Sequence, residues 1–357
     1  MFAHFMKWWD DPFMVSIPAQ RRPLQLAIYS WHLASGTNLF CRRLKSNTIK
    51  EYCAGVAAIV LYFTHGKIDP RKNEQQTEFD PLLSNVFKEL ERWEKVPDRR
   101  EPWTLEMMDC MTDTSVFGAH SPDSAWSACI DWFRVGLQLG YRLSEWAQCA
   151  GHTDLGSQAT IEGIGPTAVC LNDITFVLKS RRHIPARDIP AHPVDDITDV
   201  LVTFRWQKNH NLNEVRRLRG TVIHAWHRIV LRWLRLVPNH DTSVPLAVFR
   251  DAPSGRTQFL TSRLIEHTMR RVAAHVYNLD PNNKRDAEAL KRWSSHSLRV
   301  GACNLLHDAG FNISQIQHLL RWKSDAFRVY LRNTILLAQQ QARVLDQPDS
   351  IPDLTTL

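Results

Sequence analysis

No stretch of this 357-residue chain stays apolar for long enough to cross a bilayer. The most apolar run, Gly55 to Phe63, is less than half of the roughly 20 residues a spanning helix needs. The N-terminus lacks a basic stretch leading into an apolar one, so no secretory leader is expected. Cysteine is sparse and scattered, at 41, 53, 110, 129, 149, 170 and 303. The count of seven is odd, no CxxC occurs, and no paired Cys/His spacing suggests zinc. A disulfide framework and a zinc module are set aside, and reduced thiols inside the cell are the simplest reading. There is no internal repeat, no low-complexity tract, and no carboxylate cluster of the kind that holds a catalytic metal. Tyrosine is scarce too, with six residues against 13 tryptophans and 15 phenylalanines.

What is present is a globular composition with a basic excess. Lys plus Arg number 44 against 37 Asp plus Glu, and the pI is about 9.1. The distribution says more than the total. Arg205, Lys208, Arg216, Arg217, Arg219, Arg228, Arg232 and Arg235 fall within one stretch that holds a single acid, Glu214. Three histidines and Trp206, Trp226 and Trp233 are interleaved with them. Such a run is either a solvated face or a polyanion-binding surface.

The pattern along the chain predicts a mainly α fold with a small β-sheet insertion. Residues 1–36, with Trp8, Trp9, Pro12, Pro18 and Pro23, read as an irregular arm. Residues 37–94 read as a helical domain. Thr48 is placed as the cap of one helix, which carries Ile49, Tyr52, Val56, Ile59 and Val60. A second amphipathic helix runs through Leu82, Val86, Leu90 and Trp93. Residues 95–103, charged and with two prolines, read as a linker. Residues 104–345 form the second domain and 346–357 a tail. In that domain Thr104 opens a helix, Ser124 to Gln148 form a longer one, and Asp173 to Leu178 and Asp199 to Trp206 are strands. Glu214 to Leu218 returns as a hairpin partner, and helices dominate from Thr221 to about Leu345.

The chemistry-bearing segment is SSHSLRVGACNLLHDAG, from Ser294 to Gly310. Ser294 or Ser295 can cap this helix and Gly310 can end it. His296 and Arg299, three apart, share a face. Asn312 to Trp322 reads as a short helix with a Ser314/Gln317 capping box, and Ser324 starts another that carries Tyr330. Alone, His-x-x-Arg is an ordinary surface pair. Followed by LLRWKSDAFRVYLRN, it resembles the C-terminal signature of the tyrosine recombinases, the phage-integrase superfamily. That family has a His-x-x-Arg helix, then a His or Trp, then a nucleophilic Tyr. It also has an earlier Arg in a setting like G-L-R-x-S-E, matched here by GYRLSEW with Arg142, Ser144 and Glu145. A Lys in a β-hairpin between the two arginines is matched by Lys208 in FRWQKNHNLNEVRRL. The motifs occur in the family's order over roughly residues 104 to 340, and the wording near Tyr330 is similar to recombinases of eukaryotic mobile elements, tyrosine-recombinase retroelements and Crypton-like transposons among them.

The resemblance implies a helical N-terminal core-binding domain joined to an α/β catalytic domain. It also implies cleavage and rejoining of double-stranded DNA through a 3′-phosphotyrosyl bond. In phosphoryl transfer charge grows on non-bridging oxygens. Two guanidiniums, Arg142 and Arg299, suit those oxygens and stay charged at any relevant pH. The phenol of Tyr330 is a poor nucleophile until its proton is removed, and His296 is the candidate acceptor. Lys208 can protonate the departing 5′-oxygen, Trp322 can donate its indole N–H to the phosphate, and Glu145 can orient the arginines. Arg205, Arg216, Arg217, Arg219 and Arg321 are candidate DNA-backbone contacts. No metal or other cofactor is required on this scheme. Self-association on paired DNA sites is implied, a membrane is not a partner, and a eukaryotic host would place the protein in the nucleus.

Taken singly, each residue has a plainer reading: Arg142 as a helix–helix ion pair, Lys208 as a hairpin-tip lysine, Trp322 and Tyr330 as packing residues. A type IB topoisomerase, or a retired DNA-binding protein with the same fold, remains as an alternative. The sequence departs from the family in one place. The third His/Trp usually lies nine residues before the Tyr, which here is Arg321, whereas Trp322 lies eight before; the glycine that commonly precedes it is replaced, by Leu319 or Leu320 according to alignment. Either Trp322 keeps the role or Arg321 takes it as a third phosphate-binding cation, and Trp322 is the favoured choice.

Overall fold

The computed structural model describes residues 14, 17–38, 41–94, 100–149, 151–207 and 212–322. The chain divides into two compact units, Met1–Asp98 and Arg99–Leu357.

The first unit is built from three helices, α1 (Arg22–Ser35), α2 (Ser46–Phe63) and α3 (Pro81–Arg92). Their shared core holds Leu26, Tyr29 and Leu33, then Ile49, Cys53, Val56 and Val60, then Leu83, Phe87 and Leu90. The segment read as an irregular arm therefore contains a 14-residue helix. Its prolines do not break it. Pro18 precedes it and Pro23 lies in its first turn, where the missing N–H has no intrahelical partner to lose. Two further expectations shift. Lys45, not Thr48, precedes α2, and no side chain caps it. In α3 the buried stripe is Leu83, Phe87 and Leu90, while Leu82 and Trp93 are exposed. Asp80 caps that helix, accepting from Leu82 N at 2.9 Å, and this fixes the rotation of the stripe.

Of the stretch read as a linker, residues 100–103 pack into the second unit. Trp103 is fully buried and its N–H donates to Ser297 O at 3.0 Å. Helix α4 (Leu105–Thr112) is capped by Thr104 as expected, and α5 (Thr114–Phe117) follows. Helix α6 (Ala125–Leu139), capped by Ser124, ends nine residues before Gln148 because Gly140 turns left-handed. Two short strands, β1 (Thr160–Ile161) and β2 (Gly165–Pro166), form a small hairpin.

A four-stranded antiparallel sheet comes next, built from β3 (Ile174–Leu178), β4 (His183–Pro185), β5 (Ile197–Phe204) and β6 (Glu214–Leu218). Its spatial order is β4-β3-β5-β6. The β5–β6 register pairs Phe204 with Glu214 and Val200 with Leu218, so the expected hairpin is present; its connecting residues 208–211 lie outside the described residues.

Helix α7 (Val222–Leu236) packs on α6, and the two share a tryptophan cluster. Trp132 stacks on Trp146 at 5.1 Å and meets Trp226 edge-on at 5.6 Å. A hairpin of β7 (Val248–Arg250) and β8 (Thr257–Phe259) interrupts the helical run predicted after Thr221. Four more helices follow: α8 (Ser262–Val276), α9 (Lys284–Leu290), α10 (Ser297–Asp308) and α11 (Ile313–Leu320). Helix α10 lies against α6. A Cβ on Gly301 would stand 2.1 Å from Trp103 O, so only glycine admits this approach.

Candidate active site

Three segments remote in sequence meet at one place: the turn after α6, the first turn of α10, and the end of α11. Gly140 brings the first and last together. Its φ of +54° favours glycine, and a Cβ there would lie 2.6 Å from Leu320 Cδ2. Arg142 is thus not on a helix but caps a single 3₁₀ turn, Leu143–Glu145. The buried Glu145 carboxylate accepts from the Arg142 backbone N–H at 3.0 Å and from its Nη1 at 3.2 Å. The Arg142 side chain remains about one-fifth exposed.

Helix α10 begins at Ser297, with His296 as its N-cap in place of the expected Ser294 or Ser295. The hydroxyl of Ser297 accepts from Ser294 N at 3.0 Å. Arg299, in the first turn and buried, donates from Nη1 to Gly140 O at 2.6 Å and from Nη2 to Leu320 O at 3.0 Å. Two neutral carbonyls thus fix the orientation of its guanidinium. Burial, together with the nearby Arg299 and Arg100, drives the His296 imidazole down to a pKa of about 4. It is neutral at pH 7, as a proton acceptor must be.

Helix α11 starts from Asn312 in a reciprocal capping box with Gln315, not from Ser314 with Gln317. It ends at Arg321, whose backbone is left-handed at φ 59° and ψ 47°. That conformation costs a residue bearing a Cβ roughly 1–2 kcal/mol. It also separates the two candidates for the third His/Trp position in space. The Arg321 side chain turns inward, with Nη2 2.8 Å from Glu145 Oε2 and the guanidinium carbon 3.8 Å from the centre of the Phe204 ring. Both partners of that ion pair are 1% exposed, so Arg321 is not the surface DNA contact expected of it. Trp322, half-buried, lies instead over Arg299, whose guanidinium carbon is 4.7 Å from its ring centre.

The other basic candidates divide. Arg205 is spent inside the unit, 2.8 Å from Asp173 and donating to Ala168 O and Ile164 O, so its expected DNA contact is replaced by a loop clamp. Arg216 pairs with Glu214 and donates to His318 O at 2.7 Å, which ties β6 to the end of α11. Only Arg217 and Arg219 of this group are well exposed. They flank the buried Asp199 and hold its carboxyl well below the usual carboxylate range, the Arg217 hydrogen bond contributing most. Further along, Arg228 and Arg232 converge on buried Asp131, and Arg235 pairs with Asp123. The basic run is neither one solvated face nor one binding surface. Lys208 and Tyr330, with the helix expected after Ser324 and the tail 346–357, lie outside the described residues.

Sequence reasoning assigned Glu145 but not its second partner, nor Phe204 and Tyr141, over which Arg321 packs.

No family model matches the chain, and no curated protein matches it in sequence. Among solved structures it is similar to the Tn1549 transposon integrase in complex with transposon right-end DNA, at 16% identity and TM-score 0.45, covering 91% of this chain and 85% of that one. It is also similar to the XerH site-specific recombinase bound to a palindromic difH substrate, at 12% identity and TM-score 0.48, covering 96% and 77%. A third is the XerA recombinase, at 13% identity and TM-score 0.36, covering 96% and 88%.

Proposed function

We propose that the chain is a tyrosine recombinase, which cleaves and rejoins double-stranded DNA through a phosphotyrosyl bond to Tyr330. The observation that carries this reading is the convergence of Arg142, Arg299, His296 and Trp322. They lie on three segments remote in sequence, and Arg299 links those segments by donating to Gly140 O and Leu320 O and by lying under the Trp322 ring, while Glu145 holds Arg142 beside Gly140. Arg142 and Arg299 bind the non-bridging oxygens of the scissile phosphate, and the Trp322 indole N–H donates to the same group. The Tyr330 oxygen attacks phosphorus as His296 takes the phenolic proton. The bond to the 5′-oxygen breaks, and Lys208 supplies the proton that this oxygen needs to leave as a hydroxyl. An incoming 5′-hydroxyl reverses each transfer and releases Tyr330. Cationic side chains carry the charge stabilisation, so the reaction is expected to persist in excess EDTA. Copies of the chain assemble on paired DNA sites.

The test is to trap protein on a nicked suicide duplex, from which the short 5′-hydroxyl fragment diffuses away, and to map the linked residue. Tyr330 should carry the DNA. Tyr330→Phe should form no adduct yet bind the duplex with nearly unchanged affinity, because phosphate contacts dominate it. An adduct on the variant, or on another residue, overturns the assignment.

A further inference from the structure

Glu145 lies between two guanidiniums. Its Oε1 accepts from Arg142 Nη1 at 3.2 Å and its Oε2 meets Arg321 Nη2 at 2.8 Å, with Arg321 also reaching toward Leu139 O at 3.5 Å. The Arg321 side chain enters this position only because its backbone takes the left-handed conformation that glycine normally fills at a helix end. The aromatic faces of Phe204 and Tyr141, 3.8 and 5.8 Å from its guanidinium carbon, close over it. Burial drives the Tyr141 phenol far above its ordinary value, so its ring brings no competing anion. A strained backbone that delivers a fully buried cation to one carboxylate is a constraint of the kind found at functional sites.

We propose that Arg321 is a positioning residue whose task is to neutralise Glu145. The carboxylate can then hold Arg142 in place without cancelling the charge that Arg142 presents to the phosphate. Arg142 and Arg321 share the Glu145 carboxylate, and replacing Arg321 removes the shorter and more buried of the two ion pairs. Arg321 never touches the substrate. Its influence passes through Glu145, and the inference rests on Arg142 being a phosphate ligand.

The experiment is a charge-balance cycle in single-turnover cleavage of the suicide duplex by the full chain, at saturating protein. Arg321→Met should slow cleavage about a hundredfold, the scale seen when one preorganised electrostatic contact is lost. Glu145→Gln removes the carboxylate that Arg321 serves. In that background Arg321→Met should cost about threefold or less, since nothing remains to neutralise. The comparison of Glu145→Gln with the double variant decides the matter even where Arg321→Met alone leaves an uncompensated buried carboxylate and does not fold. Arg321→Lys, which keeps the charge but loses the planar fork, should fall between wild type and Arg321→Met. If the double variant drops below Glu145→Gln by as much as Arg321→Met drops below wild type, Arg321 acts independently of Glu145 and the inference fails. If instead the wild-type chain forms no Tyr330 adduct, it is the recombinase reading that fails.

Discussion

At the residue scale, the environment of each side chain sets what it can contribute. Trp322 lies over the Arg299 guanidinium, whose carbon is 4.7 Å from its ring centre, so the ring steadies that cation. Trp322→Phe keeps an aromatic face for Arg299 but loses the N–H together with the five-membered ring that bears it. The single-turnover cleavage rate should fall about ten- to a hundredfold, or 1.4–2.7 kcal/mol of transition-state stabilisation, with DNA affinity little changed. An unchanged rate would remove the indole from the reaction. His296 offers a second measurement. Its pKa is lowered to about 4 in the folded chain against about 6.5 in the unfolded one, so the folded state binds fewer protons between those values. Stability that depends on neutral His296 is therefore complete above about pH 6.5 and is lost as pH falls toward 4. In NMR titration the His296 ring should remain neutral at pH 5.5, where an ordinary imidazole is mostly charged. Half-titration near 6.5 would contradict the burial argument.

At the element scale, the contact of Arg216 with His318 joins the hairpin β5–β6 to the end of α11. Gln207, at the base of that hairpin and fully buried, donates to Glu214 at 2.6 Å, and Glu214 pairs with Arg216. Strand β6 is thereby linked to the helix that precedes Trp322. Arg216→Ala should speed amide exchange in β6 and in the last turn of α11 together. Faster exchange in β6 alone would show that the two elements are not coupled. Elements were legible where a local signal was strong. Thr104 and Ser124 cap helices by side-chain acceptance from backbone N–H groups three residues on, which needs no tertiary context. The β7 and β8 strands, three residues each, are too short to show an alternation. Helix α1 was hidden because its prolines, read as breakers, stand before it and in its first turn.

At the scale of the whole molecule, the net charge of +7 overstates the positive charge free of carboxylate partners at the surface. Arg205 and Arg232, paired with buried carboxylates, are 25% and 2% exposed, whereas Arg217 and Arg219 remain 55% and 72% exposed although they share the buried Asp199. Replacing Arg217 and Arg219 together by Gln should weaken DNA binding and flatten the slope of log K against log salt by up to about 1.8, roughly 0.9 per phosphate contact. Arg232→Gln should leave that slope unchanged and instead destabilise the fold by about 3 kcal/mol, since it strips one partner from the buried Asp131. Equal slope changes in the two variants would mean that Arg232 also reaches the phosphates.

The sequence by itself determined the chemical inventory and its order: Arg142 three residues before Glu145, His296 three residues before Arg299, and Trp322 after the short helix that begins near Asn312. These are short-range facts, written in spacings of one to four residues, and local backbone geometry converts them directly into structure. Tertiary packing alone decided which cations would be spent. Arg205 meets Asp173 across 32 residues, and Arg228 and Arg232 meet Asp131 across 97 and 101. No local rule ties such partners together; only the burial of the carboxylate by the surrounding core makes the pairing necessary. The same holds for Arg321. One left-handed residue at the end of α11 turned a side chain read as a DNA contact into the buried counter-charge of Glu145, because a cation excluded from water must sit where an anion and aromatic faces already wait for it.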